Sequence, residues 1–503
     1  MDNENLYALI ASRFPSDLDG TAIETPDGAV RTWRDLDRAS ARIANLLASL
    51  ELPAGSRIAA QVDKSPEAVC LYLATLRAGH VFLPLNSAYR EAEIEYFVDN
   101  AEPAVVVCAP ASLGWIEPIA RARGARAFTL GDDGRGTLID ASSTHADAFE
   151  TVPRAASDLA AILYTSGTTG RSKGAMLSHG NLASNARVLH AYWRWRRGDV
   201  LLHALPIFHV HGLFVALHGA LLSGSPMIWL ARFDAKEVVR LLPRATVFMG
   251  VPTMYVRLLD EPGFDAGAAS NVRLFVSGSA PLLADTFRQF EARTGRRILE
   301  RYGMSETVML TSNPYDGNRV AGTVGLPLPG VSVRVVDDAG RPLPWGEIGG
   351  VEVRGPNVFS GYWRMPEKTK EEFTADGWFR TGDVGRWDAN GYLTIVGRSK
   401  DLIITGGYNV YPKEIESYLD DMEGVAESAV IGVPHRDFGE AVTAVVVRKP
   451  GAVLDEAAIV AALKARIAGF KVPKRVHVVD ELPRNAMGKV QKNELRRRYA
   501  EAA

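Results

Sequence analysis

The chain has 503 residues, with 57 Lys+Arg against 59 Asp+Glu, a formal net charge of −2, 47% hydrophobic and 23% charged residues. That length asks for more than one core; the composition is that of a folded globular protein, and the even charge excludes the basic excess of a nucleic-acid footprint. Two cysteines, Cys70 and Cys108, both in apolar surroundings, exclude a disulfide framework or a Cys-rich metal site and fit a reducing compartment.

The first residues, Met1-Asp2-Asn3-Glu4-Asn5, have neither the cationic start nor the apolar stretch of a signal peptide, so the expectation is a cytoplasmic protein. Thr32-Trp33-Arg34-Asp35 has the form of a capping box, and Leu36, Ile43, Leu46, Leu47 and Leu50 follow at helical spacing. Residues 58–62 read as a strand. Ser65 then caps a second helix with Pro66 in its first turn, and Gly79 closes it. The apolar run 105–108 suits a buried parallel strand, and 132–153 is polar and reads as an irregular connection.

Strands follow at 159–164, 247–249, 274–276 and 298–301, with helices opening near His179, Pro252 and Ala284. The apolar stretch 213–222 is interrupted by His218 and Gly219, and no run is long enough to span a membrane. After Gly322 short strands at 331–336, 350–354 and 392–396 mark a β-rich subdomain. Beyond Lys400 a helix at 412–421, strands at 429–433, 441–447 and 476–479, and a helix at 456–467 describe a small α+β unit of ordinary domain size. The alternation makes this an α/β protein: a large N-terminal domain (1–398) of layered α/β subdomains plus a β-rich one, and a small C-terminal domain (399–503).

Tyr164-Thr165-Ser166-Gly167-Thr168-Thr169-Gly170-Arg171-Ser172-Lys173-Gly174 follows a strand directly and combines glycines, hydroxyls and cations. Glycines let backbone N–H groups approach an anion, hydroxyls donate and cations neutralise, which makes a polyphosphate-holding loop. The spacing is not that of a Walker loop, and neither G-x-G-x-x-G nor H-E-x-x-H occurs.

This loop resembles the phosphate loop of the adenylate-forming superfamily, which includes acyl-CoA synthetases, adenylation domains and luciferases. Six further segments match in order: Pro206-Ile207-Phe208-His209-Val210-His211-Gly212, Ser277-Gly278-Ser279-Ala280-Pro281, Tyr302-Gly303-Met304-Ser305-Glu306-Thr307, Phe379-Arg380-Thr381-Gly382-Asp383, Gly397-Arg398-Ser399-Lys400-Asp401 and Pro483-Arg484-Asn485-Ala486-Met487-Gly488-Lys489. The resemblance implies an ATP-dependent, AMP-forming acid–CoA ligase with ATP, Mg²⁺ and coenzyme A, a carboxylate as its small-molecule partner, no membrane, and a mobile C-terminal domain hinged near Lys400.

It also implies roles. Lys489 bridges the carboxylate and the α-phosphate, although its setting among Lys492, Arg496, Arg497 and Arg498 also suits a solvated tail. Glu306 holds Mg²⁺, or is an acid at a helix N-terminus. Asp383 accepts the ribose hydroxyls, with a plain turn aspartate as the alternative. Arg398 reaches ribose or phosphate. Tyr302 and the turn Gly278, Ser279, Ala280 flank adenine, with Glu300, Arg301, Gly303, Met304 and Ser305 completing the nucleotide site. Thr165, Ser166, Gly167, Thr168, Thr169 and Lys173 hold phosphates. Lys400, Gly406, Gly407 and Tyr408 form the hinge and pantetheine tunnel, or a simple glycine turn. Arg436, Lys471 and Lys474 are candidates for CoA phosphates. A lysine acetyltransferase or deacetylase acting on Lys489 is a further implied partner.

Arg301 stands where many relatives have a small residue, and a buried guanidinium calls for an anion. With His209, His211 and Ser277 it defines a polar acid pocket, and the string 300–306 resembles malonyl-CoA synthetases. The expected substrate is malonate, with methylmalonate second; the bland alternative pairs Arg301 with Glu300 or turns it to solvent. Arg232 is a weaker second contact. Other readings are a different short- or medium-chain specificity, an adenylation enzyme loading a carrier protein, a luciferase-like oxygenase or a nucleotide sensor on the same fold.

Overall fold

Thr32 Oγ1 accepts the Asp35 N–H at 3.1 Å while Asp35 Oδ2 accepts the Thr32 N–H at 2.8 Å, so the reciprocal cap does open a helix, Trp33–Ser49. The computed structural model describes residues 3–165, 172–405, 408–435, 438–485 and 488–500. Leu36, Ile43, Leu46 and Leu47 of that helix are buried where it packs on Pro66–Arg77, itself capped by Ser65.

Four sheets carry the chain. A six-stranded sheet runs Arg126–Thr129, Val105–Cys108, Arg57–Gln61, Val81–Pro84, Leu159–Thr165, Lys173–Ser178. A nine-stranded sheet places Ile298–Met304, Leu274–Ser277, Val247–Gly250, Leu201–His203 and Met227–Trp229 side by side and parallel. Their apolar faces meet helices in a large shared core. A four-stranded antiparallel sheet ends at Leu393–Arg398. The last part of the chain, from Ile403, builds a five-stranded sheet over its own apolar core of Ile403, Val410, Ile415, Val442 and Val476.

Several elements differ from the sequence reading. Residues 132–153 contain a helix, Thr137–Ser143, whose Leu138 is buried. The strand beginning at Ile298 runs on to Met304 because it turns and pairs antiparallel with Val308–Ser312. The helix opening at Glu456 ends at Lys464, not at 467. The stretch 213–222 lies in a buried π-helical segment, His211–Leu217, continued by the α-helix His218–Ser223. Among the described residues no helix is long and apolar enough to cross a membrane.

Candidate active site

In open parallel sheets ligands bind beyond the carboxyl ends of the strands. Ser277 ends one such strand and is in register with Glu300 of the next, so Arg301 emerges beside it. Arg301 is 3% exposed. Its Nε and Nη2 have no hydrogen-bond partner, and the same is true of Ser277 Oγ and His211 Nε2. Burial drags the guanidinium down to about 9. Glu300 does not answer this charge: one carboxylate oxygen accepts the Leu282 N–H at 3.0 Å and the other is unpartnered. Burial lifts Glu300 to about 8. Both bland readings of Arg301, solvent exposure and a pair with Glu300, are therefore set aside. Arg301, Ser277 and His211 thus carry four buried polar atoms without partners, which an anionic, hydrogen-bonding guest would satisfy.

His209 and His211 border this space. Burial first, then the Lys489 and Arg301 cations, hold His209 down to about 3, and the same crowding with Arg301 pushes His211 well below its usual range. Both are neutral at ordinary pH. Ser279 Oγ lies 3.4 Å from His211 Nδ1, and Ser279 itself adopts φ 73°, a left-handed kink that turns the segment 277–280. Gly278 lies against the Arg301 guanidinium. Arg232 is exposed.

On the other side of the cleft, Asp383 is 4% exposed. Tyr302 Oη donates to Asp383 Oδ2, and Arg398 Nε pairs with Oδ1 at 2.7 Å across the register that joins the two strands. The Asp383 N–H donates to Thr381 Oγ1 at 3.0 Å. Each carboxylate oxygen has two acceptor directions, so capacity for hydroxyls is left. The paired Asp383 raises the Arg398 guanidinium further, keeping it charged.

Glu306 lies in the turn between Ile298–Met304 and Val308–Ser312, so it is not an acid at a helix N-terminus. It is buried, accepts Tyr362 Oη–H at 2.9 Å, and is raised by that burial against the opposing pull of Arg398 and Lys173. A Cβ at Gly303 would fall 1.9 Å from the Val308 carbonyl oxygen, which explains the glycine in this tight turn. Met304 pairs with Val308 and Ser305 opens the turn. Lys173 sits over the Tyr362 ring at 4.2 Å and 3.5 Å from Glu372. Thr165 is paired with it across the strands that bracket 166–171; Ser166, Gly167, Thr168 and Thr169 lie outside the described residues, as do Gly406, Gly407 and Arg436.

Lys489 comes into this site from the far end of the chain. Although the residue is exposed, the protein packed about its ammonium lowers it below the usual lysine range; Arg398 and Arg301 lower it further, while Asp383 and Glu306 oppose them. Those four neighbours set it in the cleft shared by Asp383, Arg398 and Glu306 with Arg301. The preceding Gly488 rests against Thr253, a Cβ there lying 3.3 Å from Thr253 Oγ1. Lys400 is exposed within a short 3₁₀ turn, Ser399–Asp401, where Asp401 accepts from Arg496 Nη2 at 2.7 Å. Tyr408 is exposed and stacks on Phe470 at 4.6 Å. Lys471 pairs with Glu414 at 2.7 Å, and Lys474 lies over Phe438. Sequence reasoning missed Tyr362 and Thr253, neither of which sits in a motif.

A parallel sheet, a carboxylate–arginine–tyrosine triad and a lysine delivered from a loop near the far end of the chain suit a nucleotide-activating enzyme. The model of the AMP-binding enzyme matches residues 13–363 and that of the AMP-binding enzyme C-terminal domain matches 414–489. The chain belongs to this family, the adenylate-forming superfamily whose motifs it carries. It is 38% identical over 476 residues to a malonate–CoA ligase of Arabidopsis thaliana, covering 88% of this chain and 78% of that one. It is 34% identical over 498 residues to a sulfoacetate–CoA ligase of Cupriavidus necator, covering 98% and 97%. Among solved structures, ATP-bound MatB from Rhodopseudomonas palustris is 57% identical, covers 99% of both chains and superposes with a TM-score of 0.97. The apo form of the same enzyme, at 57% identity and equal coverage, gives 0.87. The chain as a whole thus superposes better on the ATP-bound form than on the apo form.

Proposed function

We propose that this protein is a malonate–CoA ligase, with methylmalonate as a secondary acid, working in two AMP-forming steps. The observation that carries the reading is Arg301: a buried guanidinium with two unpartnered N–H donors beside Ser277 and His211, in reach of Lys489. A second carboxylate on a short acid fits that fork in a bidentate pair. A fatty chain would leave it bare at a cost of several kcal/mol, on the order of the penalty for a buried unpaired charge.

In the first step the distal carboxylate, held at Arg301, leaves the reacting one facing the α-phosphate. Its oxygen attacks phosphorus, the P–O bond to the β-phosphate breaks, and pyrophosphate leaves. Lys489 neutralises charge gathering on the carboxylate and α-phosphate oxygens, Arg398 adds to that field, and Asp383 takes the ribose hydroxyls. Glu306 suits Mg²⁺: a single buried carboxylate, already accepting from Tyr362, matches the few protein ligands this ion takes beside phosphates. When bound, the ion neutralises phosphate charge. In the second step the thiolate of CoA attacks the acyl carbon and AMP leaves. We infer that the C-terminal domain, hinged at Lys400, turns to withdraw Lys489 and bring Tyr408 forward.

The 34% identity to the sulfoacetate ligase gives a second reading, a short acid whose far group is a sulfonate, which the same guanidinium fork accepts. Pyrophosphate release with short mono- and dicarboxylates and sulfoacetate, with and without CoA, followed by mass analysis of the thioester, decides between them. A preference for acetate or butyrate over both diacids would overturn the assignment.

A further inference from the structure

Lys64 belongs to none of the motifs, yet its ammonium is buried with no carboxylate beside it among its partners. Nζ lies 2.8 Å from His203 Nδ1, 2.8 Å from the His203 carbonyl oxygen and 2.7 Å from the Leu230 carbonyl oxygen. It also sits over the Trp229 ring at 4.3 Å. Lys64 follows the strand Arg57–Gln61 of one sheet, whereas His203 and Leu230 stand at the carboxyl ends of two adjacent strands of the other. The lysine therefore ties the two sheets together at the end where ligands bind.

The other imidazole nitrogen, His203 Nε2, is 3.0 Å from the Gly212 carbonyl oxygen. A carbonyl only accepts, so Nε2 carries a proton. With neutral His203, Nδ1 then accepts, and Lys64 donates all three of its N–H groups: one to Nδ1, two to carbonyls. Gly212 itself is pinned, since a Cβ there would fall 2.0 Å from the Pro206 carbonyl oxygen. The segment between these anchors bears His209 and His211, and Leu213 N–H closes back on the His209 carbonyl at 3.0 Å.

We propose that Lys64 and His203 form a positioning unit that locks the Gly212 carbonyl and so sets where His209 and His211 meet the second charge of the acid. The inference rests on the reading that a short diacid lies at Arg301. Neither residue touches substrate; both act through the 206–212 segment. Loss of the lock moves the acid contacts and leaves the nucleotide contacts of Asp383 and Glu306 untouched.

The test is a pair of variants, His203→Leu and His203→Gln, with Lys64→Met as a third. Glutamine retains an N–H for Gly212 and an oxygen for Lys64; leucine retains neither. His203→Leu raises the acid KM by about tenfold to a hundredfold, as small misplacements do, with the KM for ATP unchanged, and His203→Gln recovers most of the loss. Equal acid KM in a folded His203→Leu, or parallel rises for acid and ATP, overturns the proposal. Should the leucine variant fail to fold, ¹⁵N spectra of the wild-type histidines decide: His203 protonated at Nδ1 alone excludes the lock, and a neutral Nε2–H tautomer disturbed by Lys64→Met, together with a raised acid KM in that variant, supports it. Failure of malonate as a substrate for the wild-type chain would sink the functional reading alone, and the KM comparison then runs on whichever acid the screen returns.

Discussion

The guanidinium of Arg301 fills the space that a side chain at position 278 would need: a Cβ on Gly278 would lie 2.2 Å from both Cζ and Nη1 of Arg301. Gly278 does not adopt a positive φ, so backbone strain has no part in the choice of glycine. What the glycine provides is room for the cation. Gly278→Ala should therefore act like a lesion at Arg301, displacing the fork and raising the acid KM by about tenfold or more, while ATP binding measured by calorimetry holds. Because both changes strike one group, Gly278→Ala in an Arg301→Ala background should cost little further. Additive losses would show that position 278 acts by another route.

Arg301 itself separates function from stability. Its guanidinium is buried and two of its donors have no partner, so it destabilises the empty protein. Arg301→Met replaces it with an apolar chain of similar reach. The melting temperature should hold or rise, since exchanging buried charge for packed hydrophobe is often neutral or stabilising. Acid binding should fall by about 2–5 kcal/mol, the usual loss on truncating one partner of a buried charge pair. Arg301→Lys should rescue poorly, because a point charge cannot reproduce the fork. A Met variant that melts far lower and keeps its acid KM would reverse the roles assigned here.

The pH dependence of stability follows from buried histidines. His218 is 1% exposed, and burial lowers it from 6.5 to about 3; His179, fully buried, falls to about 4 chiefly for the same reason. Both are neutral when folded and take up a proton on unfolding below pH 6.5, so the unfolded state binds more protons across that window and stability drops as pH falls. The loss is about 1.4 kcal/mol per pH unit for each group, or roughly 2 kcal/mol each at pH 5. His218→Gln should flatten the slope by one such share in denaturant titrations at pH 7, 6 and 5. An unchanged slope would mean that His218 is already protonated in the native protein.

How much of this was readable before the coordinates depends on where each contact comes from. Local chemistry was legible: Thr32 with Asp35 and Ser65 with Pro66 cap helices because their partners lie three residues away. The loop at 164–174 was legible because its glycines, hydroxyls and cations suit a polyanion, while the other motif residues, Arg301 included, stood out through their resemblance to the adenylate-forming superfamily. Lys64 was not legible, since its acceptors come from positions 203 and 230 and only the packing of two sheets brings them together. Nor was Tyr362, which reaches Glu306 from a connecting segment. Strands of three residues, Leu201–His203 and Met227–Trp229, are too short to show a period, and they exist because neighbouring strands pair with them. The helix Thr137–Ser143 was hidden because it buries little beyond Leu138 and Ser142.

The assignment of Lys489 can be tested by splitting the two half-reactions. Its charged neighbours include Arg398, Asp383 and Arg301, and on the proposed reading an ammonium there serves the transition state of the first step. Lys489→Ala should lower the rate of pyrophosphate release by about 10²–10³, the scale for removing one preorganised charge stabiliser. Thioester formation from supplied acyl-adenylate and CoA should proceed at a rate near that of the wild type, because the thiol attacks carbon rather than phosphorus. Lys489→Arg should recover little, since a planar guanidinium does not place its charge where a point ammonium does. Loss of both half-reactions together would instead assign Lys489 to holding the nucleotide. Normal pyrophosphate release from the alanine variant would remove it from the chemistry and leave Arg398 as the cation facing the α-phosphate.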